Sequence, residues 1–154
     1  LRAGLRVAFS ADESEDSGIE DGMDLGVCVY DVHQRTVTFS GANSNMYLMH
    51  DGALEVIKGE KQGVSASDFD IKNYESHTVD VFEGDIIYLS SDGFPDQFGG
   101  ERMKKYSQKR FQELIQELSK LPMDKQKEAM NKELEEWMGD NNQLDDICVM
   151  GVKF

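Results

Sequence analysis

Two acidic sites in this chain are placed where they could do chemistry. The first closes an apolar run. Ile86-Ile87-Tyr88-Leu89 is short and β-branched, follows a Glu83-Gly84-Asp85 turn, and reads as a strand buried on both faces. It stops at Ser90-Ser91-Asp92-Gly93. An aspartate delivered by a rigid strand can aim its carboxylate at a hard cation, and Gly93 leaves room for the backbone to approach that ion. A lone Asp-Gly is also ordinary turn chemistry. The second site changes the weighing. Leu144-Asp145-Asp146-Ile147-Cys148-Val149-Met150 sets two aspartates just before another apolar run, also read as a buried strand. If the two strands are neighbours, their carboxylates crowd together and need a cation or a proton between them. An all-oxygen set favours Mg²⁺ or Mn²⁺ over zinc.

The elements that would carry these sites follow from periodicity. Leu1, Leu5, Ala8 and Phe9 have helical spacing, the tail of a helix. Ser10 to Gly22 is acidic and aperiodic and reads as an exposed loop. Met23 to Val32 is a strand, apolar on both faces at Val27 to Tyr30 and therefore central, and Thr36 to Ser40 forms a hairpin with it. Asp51-Gly52 signals a tight hairpin between Tyr47-Leu48-Met49 and Leu54-Glu55-Val56. Lys58 to Glu75 is a polar surface excursion, and His77 to Phe82 alternates as a strand.

Beyond Asp92 the chain turns helical. Phe111, Leu114, Ile115 and Leu118 share one face, and Pro122 suits the first turn of a second helix striped by Met130, Leu134, Trp137 and Met138. Gly139 ends that helix, and Ile147 to Phe154 is the last strand.

At the acidic sites the chain resembles a family. Ser91-Asp92-Gly93 and Asp145-Asp146 look like the last two metal motifs of the metal-dependent, 2C-like (PPM) protein phosphatases, in their SpoIIE/RsbU branch. The resemblance runs in order through GMDLGVCVYD, TFSGANSNMYLMHDG, GDIIYLSSDGFPDQFGG, RFQELI, LPMDKQKE and EEWMGDNNQLDDICVMGVKF. It implies a single α+β domain, residues 1–154, with its N-terminal part missing. The fold would be two stacked antiparallel sheets flanked by helices, with metals at one edge of the sandwich.

It implies two Mn²⁺ or Mg²⁺ ions and hydrolysis of phosphoserine or phosphothreonine by a metal-activated water. It carries over Asp92 and Asp145 as metal ligands, with Asp146 as a further ligand or a residue bonded to one, and Gly93 as backbone support. No catalytic residue beyond the ligands is implied. The substrate would be a phosphorylated regulator of the anti-anti-sigma-factor kind in bacterial signalling, controlled by an upstream sensory region. The location would be cytoplasmic, in a parent that is free or membrane-anchored. A paired second copy could supply missing elements.

One departure matters. The family's bridging aspartate comes from an Asp-Gly/Ser-x-Gly-His-Gly type motif upstream of the helix that ends near Phe9. Here the only Asp-Gly upstream of the strands is Asp21-Gly22, without the Gly-His-Gly. About half the metal shell is therefore present, and the isolated chain is expected to bind metal weakly and turn over little. A phosphatase-like scaffold without activity is the competing reading. A haloacid-dehalogenase-like phosphatase is a third, from Asp92-Gly93-x-x-Asp96, but that fold needs an Asp-x-Asp after its first strand and a parallel sheet.

Composition narrows the field. A net charge of -14 disfavours nucleic acid or an anionic membrane as partner. It also repels a phosphorylated substrate unless bound cations reverse the local field. The chain starts at Leu1 without a signal peptide or an apolar run long enough to span a bilayer, and reads as a piece of a larger protein. Cys28 and Cys148 read as small buried hydrophobes. Asp96 reads as a helix cap or turn residue, Gly99-Gly100 as a flexible bend, and Asn43 as a turn residue able to face the site. His33, His50 and His77 read as surface or edge residues rather than bases.

Overall fold

A computed structural model describes residues 22–65 and 73–154. The expected N-terminal helix tail and most of the acidic loop lie outside those residues. Two antiparallel sheets dominate. One has four strands in the order β11-β8-β4-β5, and the other has three in the order β2-β3-β7. The strands are β2 (Leu25–Asp31), β3 (Thr36–Ala42), β4 (Asn45–His50), β5 (Ala53–Lys58), β7 (His77–Asp80), β8 (Ile86–Ser90) and β11 (Val149–Lys153). Short pairs β1 (Gly22–Met23) with β6 (Val64–Ser65), and β9 (Phe98–Gly99) with β10 (Lys104–Lys105), complete the set. The helices are α1 (Gly93–Asp96), α2 (Gln108–Leu118) and α3 (Met123–Met138). This is the stacked-sheet α+β architecture expected from the sequence.

Alternation in β4 explains why the layers stack. Met46 and Leu48 point into the space between the sheets, where they meet Val37 and Phe39 of β3, Ile57, Val81 and Ile87. Tyr47 and Met49 point the other way, joining Ile86, Tyr88, Phe94, Phe111, Ile115 and Met130 in a second core under α2 and α3. Both faces of β4 and β8 are thus buried, as the unbroken apolar runs require. The Asp51-Gly52 turn has positive φ at both residues, 46° and 76°, the backbone of a tight type I′ hairpin. α2 buries Phe111, Ile115 and Leu118, and Ser107 caps it by accepting the Arg110 N–H at 3.4 Å. Pro122 stands at the N-cap of α3, one step before the first turn.

Three expectations need correction. β2 is an edge strand, not a central one: it pairs only with β3. Cys28 faces the core, its thiol 3.6 Å from the Met46 sulfur, while Val29 on the opposite face is 63% exposed. An apolar run shows that both faces tolerate burial, not that both receive it. The last strand is likewise an edge. It begins at Val149, with Met150 and Val152 exposed, and Cys148 just before it is exposed too. Gly99-Gly100 is no flexible bend. A Cβ on Gly99 would overlap the Trp137 carbonyl, which accepts the Gly100 N–H at 2.9 Å, so small residues here let the β9–β10 hairpin lie flat on α3.

Candidate metal-binding edge

β8 ends at Ser90 and releases Ser91, Asp92 and Gly93 at the edge of the sandwich. The register Ser90↔Val149 places the start of β11 alongside, so the loop carrying Asp145 and Asp146 must pass this same edge. Ser91 fastens it there. Its hydroxyl donates to the Asp146 carbonyl at 2.8 Å and accepts the Cys148 N–H at 2.9 Å, while the Ser91 N–H donates to the Cys148 carbonyl at 2.9 Å. Gly93 lies so close under the Asp146 carbonyl that any Cβ would overlap it. The two acidic sites are neighbours, brought together by backbone contacts on both sides of Asp92. The Asp145 carboxylate accepts the Asp146 N–H at 2.7 Å, and all three aspartates are exposed.

Asp92 also lines a cleft of about 250 Å³ between the two sheets, with Asp24, Asn43, Ser44 and Ser91 among its walls. Asn43 therefore faces the site, as the sequence allowed. Its backbone has φ +49°, and its side-chain amide donates to Asp24 Oδ1 at 2.9 Å. Asp24 went unnoticed in the sequence, although an aspartate immediately before a strand is the same signal that singled out Asp145. Neither Asp145 nor Asp146 lines this cleft.

The donors match a hard divalent ion in kind: carboxylate, amide and hydroxyl oxygens on an open edge. They fall short in number. Among the described residues no three His, Cys, Asp or Glu side chains converge closely enough to hold a metal.

The remaining candidates sit elsewhere. Asp96 closes α1 rather than capping it, and its carboxylate pairs with Lys105 at 2.6 Å. His50 belongs to the opposite end of β8, with Nδ1 2.9 Å from Oδ1 of Asp85. Asp85 is 4% exposed and also accepts the Phe82 N–H at 2.9 Å. The hydrogen bond to Asp85 raises the His50 pKa above 6.5. A larger, apolar cleft of about 580 Å³ opens between α3 and β11.

A family model described as stage II sporulation protein E (SpoIIE) matches residues 11–154. Among solved structures, the SiaA-PP2C domain of Pseudomonas aeruginosa superposes with a TM-score of 0.83 at 29% identity, over 99% of this chain and 57% of that one. The phosphatase domain of SpoIIE from Bacillus subtilis superposes at 0.60 with 12% identity, over 99% of this chain and 64% of that one. The serine/threonine phosphatase PstP/Ppp of Mycobacterium tuberculosis gives 0.61 and 15%, over 96% of this chain and 64% of that one. A further PstP catalytic-domain structure holds 2 manganese ions. At these identities the SpoIIE and PstP structures show likeness of fold alone. The chain spans less than two thirds of the length of each of these structures. A search of curated proteins found no match.

Proposed function

The chain belongs to the SpoIIE family, and from that membership we propose that it is the C-terminal part of a metal-dependent phosphoserine/phosphothreonine protein phosphatase domain. The observation that carries this reading is the junction at Ser91, which sets Asp92 beside the Asp145–Asp146 loop. Asp92 and Asp145 are the residues that would hold Mn²⁺ or Mg²⁺, with Asp146 in a lesser part. Such ions supply a water of lowered pKa and neutralise charge on the phosphoryl oxygens.

The chain's own residues prepare that site. Ser91 fixes the spacing of the two acidic segments. Gly93 permits the close approach of the Asp146 carbonyl, and Asn43 orients the Asp24 carboxylate at the cleft mouth. A chain with net charge -14 attracts a phosphorylated protein only where cations invert the local field, so phosphate binding should follow metal binding. The substrate class that fits the family is a small phosphorylated regulator of the anti-anti-sigma-factor kind. Control by an upstream sensory region and a cytoplasmic site of action in a bacterial cell belong to the same reading.

The isolated chain should be a poor enzyme, because its described residues bring no three metal-binding side chains together. The same observation favours a second reading, an inactive phosphatase-like scaffold. Phosphate release from a phenyl phosphate with Mn²⁺ separates the cases. The chain alone should release little, and the parent protein should release phosphate at a rate that Asp92→Asn abolishes. A normal rate from the chain alone overturns the incomplete-shell reading. A parent inactive on phosphoproteins favours the scaffold.

A further inference from the structure

Among the described residues, Gln97 is the one fully buried amide next to the candidate site. It is 1% exposed, and all its polar atoms are engaged. Its side-chain NH₂ donates to the Asn142 carbonyl at 3.0 Å and to the Phe98 carbonyl at 3.1 Å, and its Oε1 accepts the Leu144 N–H at 3.3 Å. Its own carbonyl accepts from Trp137 Nε1 at 3.0 Å and from the Tyr106 N–H at 2.9 Å.

These bonds have a particular topology. The segment 91–97 and the segment 142–148 run beside each other and are joined twice. Ser91 holds the far end of the second segment, at Asp146 and Cys148, and Gln97 holds its near end, at Asn142 and Leu144. Asp92 lies between the joints on one segment, and Asp145 lies between them on the other, with Asp146 at the Ser91 joint. Among the described residues the other hydrogen bonds between 143 and 146 are internal to the loop, from Gln143 Nε2 to the Asp145 carbonyl and from the Asp146 N–H to the Asp145 carboxylate, and Leu144 is 65% exposed. An apolar residue of the same size would fill the space equally well. Burying an amide is favourable only when every donor and acceptor finds a partner, so its presence here ties its use to the loop.

We propose that Gln97 is a positioning residue, whose side-chain amide grips the backbone at Asn142 and Leu144 and thereby sets where Asp145 stands relative to Asp92. The role rests on the reading of those aspartates as metal ligands, and the test separates the two claims. Gln97→Met keeps the volume and removes the grip. Gln97→Glu keeps the acceptor for Leu144 and loses the donor to Asn142, and it carries the test if the methionine variant does not fold. Trp137→Phe disturbs the same neighbourhood without touching the loop.

The measurements are amide hydrogen exchange in the metal-free chain and Mn²⁺ affinity from the electron paramagnetic resonance of the free ion. Exchange at residues 142–146 should rise about tenfold in Gln97→Met, as expected for local opening, while amides of β4 and β8 keep their rates. The Mn²⁺ dissociation constant should rise about tenfold, the scale of a lost outer contact to a metal site, and stay within about twofold in Trp137→Phe. Unchanged exchange in the loop, or a uniform rise across the sheets with falling thermal stability, overturns the proposal and leaves Gln97 a core residue. If the unmodified chain binds no Mn²⁺, the ligand reading fails, and the positioning role for metal binding fails with it, while exchange still reports the grip itself.

Discussion

Ser91 and Gly93 show how little side chain is needed to fix a site when the backbone does the joining. The hydroxyl of Ser91 satisfies two backbone groups of the neighbouring segment, and Gly93 contributes by having no side chain at all. Gly93→Ala forces a methyl group into the Asp146 carbonyl, and overpacking of this sort costs about 1–3 kcal/mol. Urea unfolding should show a loss in that range, with a weaker Mn²⁺ site. A change under about 0.5 kcal/mol would mean that the loop yields freely.

His50 offers an independent check at the other end of β8. Its pKa is raised, chiefly by the hydrogen bond to Asp85, so its contribution to stability is full below about 6.5 and is lost as pH rises through the elevated value. The melting temperature of the wild type minus that of His50→Gln should shrink as pH rises from below 6.5 through the neutral range. A difference that grows with pH would contradict this pairing.

At this scale the sequence was legible where a residue's position depends on its immediate neighbours, as for Asp92 and Gly93, which follow the strand ending at Ser90. It was silent on what Gln97 and the Ser91 hydroxyl hold. Their partners lie far along the chain, as with Gln97 and Asn142, and nothing local marks the pairing.

Among the elements, helices were read more faithfully than strands. The i, i+3, i+4, i+7 stripe of α2 names its buried residues directly, because a helix with one apolar face has one way to pack. An apolar strand has two faces, and only the sheet order decides which is covered. Val29 and Phe111 make the contrast measurable. Phe111→Ala should cost about 3–5 kcal/mol, since the ring is 0% exposed and touches Tyr47 and Phe94 edge-on or tilted. Val29→Ala, on the open face of β2, should stay within about 0.5 kcal/mol by the same denaturant titration. Comparable losses at the two positions would mean that the outer face of the three-stranded sheet is covered in solution. Turn chemistry was also legible, since Asp51-Gly52 specifies its own hairpin.

For the molecule as a whole, shape and charge pull against each other. Two cores share the strands β4 and β8, and the site edge is where β8 ends and β11 begins. The net charge of -14 opposes compaction and repels anions. Raising monovalent salt toward about 0.15 M should therefore raise the melting temperature by screening self-repulsion. A fall with salt would mean that ion pairs such as Lys105–Asp96 outweigh that repulsion. The antiparallel hairpins could be read from alternation and turn signals, and the stacking of two sheets only from the family resemblance. The count of converging ligands could not, because it depends on which segments share an edge.

The most direct test of the account is a Mn²⁺ titration of the chain, of Asp92→Asn and of Asp96→Asn, followed by the resonance of the unbound ion. Binding should be weak and saturable, reduced about tenfold or more in Asp92→Asn and unchanged in Asp96→Asn, whose carboxylate is turned to Lys105. Superimposable isotherms for the wild type and Asp92→Asn would contradict it.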